Sequence, residues 1–196
     1  MQNSSYLADR FGEIVLASSS PRRAQILRQV GLRFIIKPSH IKEVFTNGDP
    51  VEQAKRISRE KAAEIVTLHA EQIVLSADTI VVIDGRLLGK PEDASDAFEM
   101  LKLLSAREHQ VHTAFTVWRG ADDKLETDAV TTQVRFKKLS DAWIHRYVES
   151  GSPFDKAGAY GIQDQSALFI DSIDGDFYNV VGLPIARVME VMEQHF

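Results

Sequence analysis

Two short stretches of the chain carry residue types that handle phosphate and water. The first is Leu16-Ala17-Ser18-Ser19-Ser20-Pro21-Arg22-Arg23, where an apolar run stops abruptly at hydroxyl side chains. Ser20 suits a helix N-cap and Pro21 the first helical position. The first turn of a helix presents N–H groups without intrahelical partners at the positive end of the macrodipole, an arrangement that favours an anion. Arg22 and Arg23 fall in that turn, where cations oppose the dipole unless negative charge is close. A polyphosphate would supply that charge, but a capped helix with two solvated arginines explains the same residues equally well.

The second stretch is Val74-Leu75-Ser76-Ala77-Asp78-Thr79-Ile80-Val81, in which an acid interrupts an apolar run. A buried carboxylate is costly unless it is paired, metal-bound or hydrogen-bonded. Ligands of open α/β sheets sit beyond strand ends, where such an acid can bind a metal or orient a water. Gly89-Lys90-Pro91 sets one lysine between two backbone-restricting residues, and a compact ammonium on a stiff loop suits a phosphate oxygen. Taken singly, an Asp satisfied by backbone amides and a lysine in water are the plainer readings. His109 and His112 stand three apart on a predicted strand, so they point to opposite faces and are not a metal pair. Asp174-Gly175-Asp176 reads as a tight turn rather than a cation loop. No P-loop and no G-x-G-x-x-G pattern occurs.

The elements that must position these groups alternate along the chain. Strands are expected at Glu13 to Ser18, Arg33 to Lys37, Gln72 to Ala77 and Thr79 to Ile83, with a turn at Asp84-Gly85. Further strands are expected at Val111 to Trp118, Ala129 to Phe136, Leu168 to Ile173 and Asn179 to Val181. Helices should begin after Ser20, Asp49, Asp93, Ser140 and Pro184. The second carries Val51, Ala54, Ile57, Ile65 and Leu68 as its apolar stripe, and the third turns Ala97, Met100, Leu101 and Leu104 inward. Interleaved strands and helices with hairpins in the middle predict an α/β fold with a mixed sheet.

Bulk properties narrow the function classes. With 196 residues, 44% of them hydrophobic and 26% charged, the chain suits one domain over residues 13–196 behind a short polar extension, 1–12. No stretch approaches the roughly 18 apolar residues of a membrane span, and the N-terminus lacks a signal-peptide pattern. Cysteine is absent, which removes disulfides and thiolate chemistry. A net charge of −5 argues against a nucleic-acid partner, which would call for a basic surplus. A cytoplasmic enzyme without membrane or nucleic-acid partners is expected, with any phosphate site local.

Taken together, the segments LASSSPRRAQIL, SADTIVVIDGRLLGKPEDASDAFEMLKLLS, HQVHTAFTV, SGSPFDKAGAYGIQ and IDGDFYNVVGLP resemble the Maf family, the septum formation proteins and Maf-like nucleotide pyrophosphatases. They stand in the family's order from about Ile14 to Pro184. The resemblance implies an elongated mixed sheet with flanking helices, two lobes around a cleft similar to inosine triphosphate pyrophosphatases, often as a homodimer. It implies hydrolysis of a nucleoside triphosphate between the α and β phosphates with a divalent cation, Mg²⁺ foremost and Mn²⁺ or Co²⁺ as substitutes.

Residue by residue, the resemblance places the catalytic acid at Asp78, also a metal ligand, and phosphate contacts at Ser18, Arg22, Arg23, Lys61 and Lys90. Glu43 would be a second acidic metal ligand. DKAGAYGIQ is similar to the subgroup acting on dTTP and UTP, with modified pyrimidine triphosphates as further substrates, and maps specificity to Arg22, Thr79 and Gln163. The family usually has Gly after that Gln; here it is Asp164, which takes positive φ less freely. Lys156 of the same block is either a phosphate contact or a surface lysine. A carboxylate among cations is a weak base, which favours metal-assisted activation of water over Asp78 alone. The alternatives are a 7-methyl-GTP or purine triphosphate pyrophosphatase and a non-catalytic nucleotide-binding regulator of septum formation. House-cleaning of nucleotides or division arrest would be the cellular role.

Overall fold

A computed structural model describes residues 6–46 and 48–196. The first elements are a short helix α1 (Tyr6–Phe11), strand β1 (Glu13–Leu16), helix α2 (Pro21–Gln29), strand β2 (Arg33–Ile36) and helix α3 (Pro50–Val66). Strand β3 (Ile73–Ile83) turns into β4 (Arg86–Leu88), followed by α4 (Ala94–Leu104), β5 (Glu108–Arg119) and β6 (Lys124–Phe136). The chain closes with α5 (Asp141–Glu149), three 3₁₀ turns, β7 (Ile170–Asp174), α6 (Phe177–Val181) and α7 (Ile185–His195). The strands form one sheet in the order β2-β1-β3-β5-β6-β7, with β4 beside β3. It is mixed: β1 runs parallel to β2 and β3, whereas β4 is antiparallel to β3 and β7 to β6. The expected α/β class with a mixed sheet and flanking helices is what the chain adopts.

The helix starts follow from side-chain chemistry. Asp49 accepts hydrogen bonds from the N–H groups of Val51 and Glu52 at 2.8 and 3.1 Å, and Pro50 sets the first turn of α3. Asp93 takes the N–H of Asp96 at 2.8 Å, and Ser140 that of Trp143 at 3.3 Å. Asp84 and Gly85 both adopt positive φ, 51° and 74°, which matches the right-handed twist of the tight β3–β4 hairpin.

The chain divides into two compact units. Unit 1 comprises residues 1–78, 113–130 and 182–196, and unit 2 residues 79–112 and 131–181. In unit 1, Val15, Ala17 and Val74 pack with Ala62, Ile65 and Val66 of α3. In unit 2, α4 buries Ala97, Met100, Leu101 and Leu104 with Val81, Val111, Val134 and Ile144. Each fully buried Leu is worth about 1.5–3 kcal/mol, so this helix is held by packing rather than propensity.

Three local expectations are corrected. Residues 179–181 are helical in α6, not a strand, because Asp176 Oδ1 takes the N–H groups of Tyr178 (2.7 Å) and Asn179 (3.3 Å) and starts a turn. Asn179 then buries its amide on the Val111 carbonyl and Thr132 Oγ1, each 2.9 Å away. Leu68 lies beyond the end of α3 and is 80% exposed, so the stripe stops at Val66. The strand around Asp78 is continuous, with no break at the acid.

Candidate active site

Strand β1 ends at Leu16, and the Ala17 N–H still bonds to the Leu75 carbonyl at 2.8 Å, so the turn into α2 leaves from beside β3. Ser20 is the N-cap residue of α2 but makes no side-chain cap bond. Ser18, two residues earlier, instead closes the turn before the helix: its Oγ receives the Ser20 N–H at 3.2 Å and Arg23 Nη1 at 3.0 Å. Arg23 Nε donates to the Gly182 carbonyl at 2.8 Å. Arg23 is therefore buried and bonded on two sides, not solvated. Burial pushes its pKa below the ordinary arginine value, and the negative charges of Asp78 and Glu43 act against that while Arg22 adds to it. A guanidinium stays charged, so a permanent cation is held under Ser18. Arg22, one position earlier, is half-buried.

Asp78 lies within β3 and is 4% exposed. Lys61, from the buried face of α3, brings its Nζ to 2.7 Å from Asp78 Oδ1 and to 2.7 Å from Glu43 Oε1. Glu43 sits in the segment between β2 and α3, and α3 straps that segment down. Glu64 accepts from Ser39 Oγ at 2.5 Å and the His40 N–H at 2.9 Å, Arg56 donates to the Val44 carbonyl at 2.5 Å, and Gln53 accepts the Thr46 N–H at 2.5 Å. The helix that presents Lys61 thus also delivers Glu43 to it. Unit 1 gathers Ser18, Arg22, Arg23, Glu43, Lys61 and Asp78 into one charged cluster, with the arginine turn and the acid electrostatically coupled.

Burial raises the Asp78 pKa above the ordinary carboxylate value, with Lys61 and Arg23 opposing and Glu43 reinforcing the rise. The expectation of a weak base is corrected: desolvation outweighs the neighbouring cations. Oδ1 is taken by Lys61, whereas Oδ2 is buried with no hydrogen-bond partner. A desolvated carboxylate oxygen with an unmet acceptor site fits a hard cation, and the Glu43 carboxylate on the same lysine is a second oxygen donor. Among the described residues no group of three or more His, Cys, Asp or Glu forms a metal cage.

Thr79, Lys90 and Gln163 belong to unit 2. Thr79 follows Asp78 in β3 and is half-buried. Lys90 is exposed, and its loop is tied down where the Gly158 N–H meets the Gly89 carbonyl at 2.9 Å. Gln163 is exposed in the turn that follows Tyr160. Asp164 adopts φ −114°, ordinary for any residue, so the concern over positive φ does not apply. Lys156 Nζ is committed to the Ser152 carbonyl at 2.5 Å, Asp155 at 2.6 Å and Asp164 at 3.3 Å, a structural clamp within its own loop.

A profile of Maf-like proteins matches residues 13–195. The chain belongs to the Maf-like family. A dTTP/UTP pyrophosphatase of Clostridioides difficile is 44% identical over 93% of this chain and 95% of its own length. A dTTP/UTP pyrophosphatase of Bacillus pumilus is 46% identical over 92% and 95%. Among solved structures, the Staphylococcus aureus Ham1 protein shares the fold, with a TM-score of 0.51 at 14% identity, covering 93% of this chain and 98% of that one.

In this Maf-like chain the other polar signals are structural. His109 Nε2 meets Tyr160 Oη at 2.8 Å, and His112 Nδ1 meets Thr131 Oγ1 at 2.8 Å. Burial alone lowers the His109 pKa to about 4, which leaves it neutral. In the Asp174-Gly175-Asp176 turn, Asp176 starts α6. Sequence reasoning missed Tyr147 and Ser166, which both bond to Asp164. Their spacing carries no signal for this, since Tyr147 reads as one more apolar position of α5.

Proposed function

We propose that this chain is a nucleoside triphosphate pyrophosphatase that hydrolyses dTTP and UTP to the monophosphate and pyrophosphate. The observation that carries this reading is the buried Asp78–Lys61 pair, capped by Glu43 and beside Arg23, in a chain 44–46% identical to proteins named dTTP/UTP pyrophosphatase. Water attacks the α-phosphorus, the bond to the bridging oxygen breaks, and pyrophosphate leaves with that oxygen. Asp78, whose charged form is disfavoured by burial, takes the proton of the attacking water. Arg22, Lys61 and Lys90 bind phosphate oxygens. Arg23 and Ser18 hold a fixed positive charge and a hydroxyl under the phosphate-facing turn. A divalent cation held by Asp78 and Glu43, Mg²⁺ by its preference for hard oxygens, would supply further charge neutralisation. Gln163 reads the base, since its amide offers one donor and one acceptor group to the N3–H and carbonyls of uracil or thymine. Arg22 and Thr79 complete the specificity set.

Product analysis across a nucleotide panel, including CTP, GTP and 7-methyl-GTP, tests the reading. Monophosphate plus pyrophosphate from dTTP and UTP is the expected outcome. Release of diphosphate plus phosphate, or preference for 7-methyl-GTP, would refute it.

A further inference from the structure

We infer that Asp164 is the positioning residue for Gln163, fixing through its carboxylate the turn on which base selection depends. The inference rests on the dTTP/UTP reading above. Gln163 is itself exposed, so its own packing does not orient it. A free amide can flip and would then accept cytosine as readily as uracil. Something adjacent has to hold the backbone from which it springs.

Asp164 does this from the next position. Its carboxylate receives Tyr147 Oη at 3.1 Å on both oxygens, the Ser166 N–H at 2.9 Å and Ser166 Oγ at 2.8 Å, with Lys156 Nζ 3.3 Å away. Tyr147 is anchored in α5 and packs its ring on Phe169, so the donor is fixed by the core of unit 2. Burial and the neighbouring carboxylate push the Tyr147 pKa up, keeping the phenol protonated and able to donate. The same knot closes the turn: the Asp164 N–H bonds to the Gly161 carbonyl at 3.1 Å, and Ser166 Oγ accepts the Gly161 N–H at 2.9 Å. Upstream, Tyr160 is buried, bonded through Oη to His109 and stacked edge-on against Phe136. Gln163 thus lies between two anchored residues three positions before and one after it. A charged hydrogen-bond acceptor with several donors constrains a turn more tightly than a glycine can.

The test is steady-state kinetics on UTP, dTTP, CTP and dCTP with thermal melts for every variant. In Asp164→Ala and Tyr147→Phe the preference for UTP over CTP should fall about tenfold, the scale of one lost hydrogen bond, chiefly through KM. Asp164→Asn, which keeps an acceptor for Ser166 but not the charge facing Lys156, should recover part of the preference. Because Asp164 acts through Gln163, adding Asp164→Ala to Gln163→Ala should cause little further loss of discrimination. If folded Asp164→Ala and Tyr147→Phe keep the wild-type preference, or the double variant is additive, the inference is wrong while the activity reading stands. Should Asp164→Ala not fold, Tyr147→Phe, which retains the ring, decides alone. A wild-type enzyme that is indifferent to the base would sink the specificity reading itself, and this inference with it.

Discussion

Lys61 Nζ lies 2.7 Å from a carboxylate oxygen of Asp78 and 2.7 Å from one of Glu43, so a single buried cation is shared by two acids. Asp78 keeps a raised pKa and an unmet oxygen, a costly state in the free protein and a useful one for binding a cation or a proton.

Asp78→Asn should abolish pyrophosphate release, by about 10³-fold or more, and yet raise thermal stability. The sign follows from linkage. Because the folded pKa is raised, the folded state binds this proton more tightly than the unfolded chain. The stability gained is complete below the ordinary carboxylate value and lost as pH rises through the folded one. Burial of the Asp78 charge is thus a cost that the amide avoids, and Lys61 still has Glu43 when the charge is removed. A Tm above that of the wild type is expected from melts at pH 7.

Lys61→Met should act in the opposite direction on stability. It strips the shared cation from two acids and removes the largest influence that lowers the Asp78 pKa. Pyrophosphate release should drop about 10²-fold or more, and the acid limb of the residual pH–rate profile should move to higher pH. A pH profile that does not shift would contradict the coupling.

Chelation should stop the reaction, while Mg²⁺ alone should bind only weakly. With two carboxylates, Asp78 and Glu43, as the proposed donors, tight binding requires substrate phosphates. Titration calorimetry with and without a non-hydrolysable α,β-linked dTTP analogue reads this directly. Tight metal binding to the protein by itself would contradict it.

His109 should make the fold acid-labile. Its folded pKa is depressed from 6.5 to about 4, so the stability it confers is present above pH 6.5 and lost as pH falls toward 4. Urea melts at pH 7 and pH 5 should differ by roughly 2 kcal/mol from this group. In His109→Gln, which can still bond to Tyr160, that difference should shrink.

Local chemistry was legible without coordinates wherever one or two neighbouring residues decide the outcome. Asp49, Asp93 and Ser140 cap their helices as their sequence context implies, and Ala97, Met100, Leu101 and Leu104 are all buried. Legibility failed where distant partners decide. The β-branched pair at 180–181 suggests a strand, but Asp176 and the anchoring of Asn179 on Val111 and Thr132 make it helical. In the sequence Arg23 is as readily a solvated arginine as a phosphate contact, and only the fold encloses it between Ser18 and Gly182.

The motif blocks carried the family through their resemblance, and side-chain periodicity and capping, which are properties of short windows, carried the α/β fold class. Which charges meet was decided only in three dimensions. The pairing of β1 with β3, and the strapping of the 38–46 segment onto α3, carry residues 18, 23, 43, 61 and 78 together across large separations in sequence. Electrostatic energy depends on distance and burial, and neither is written in the order of residues.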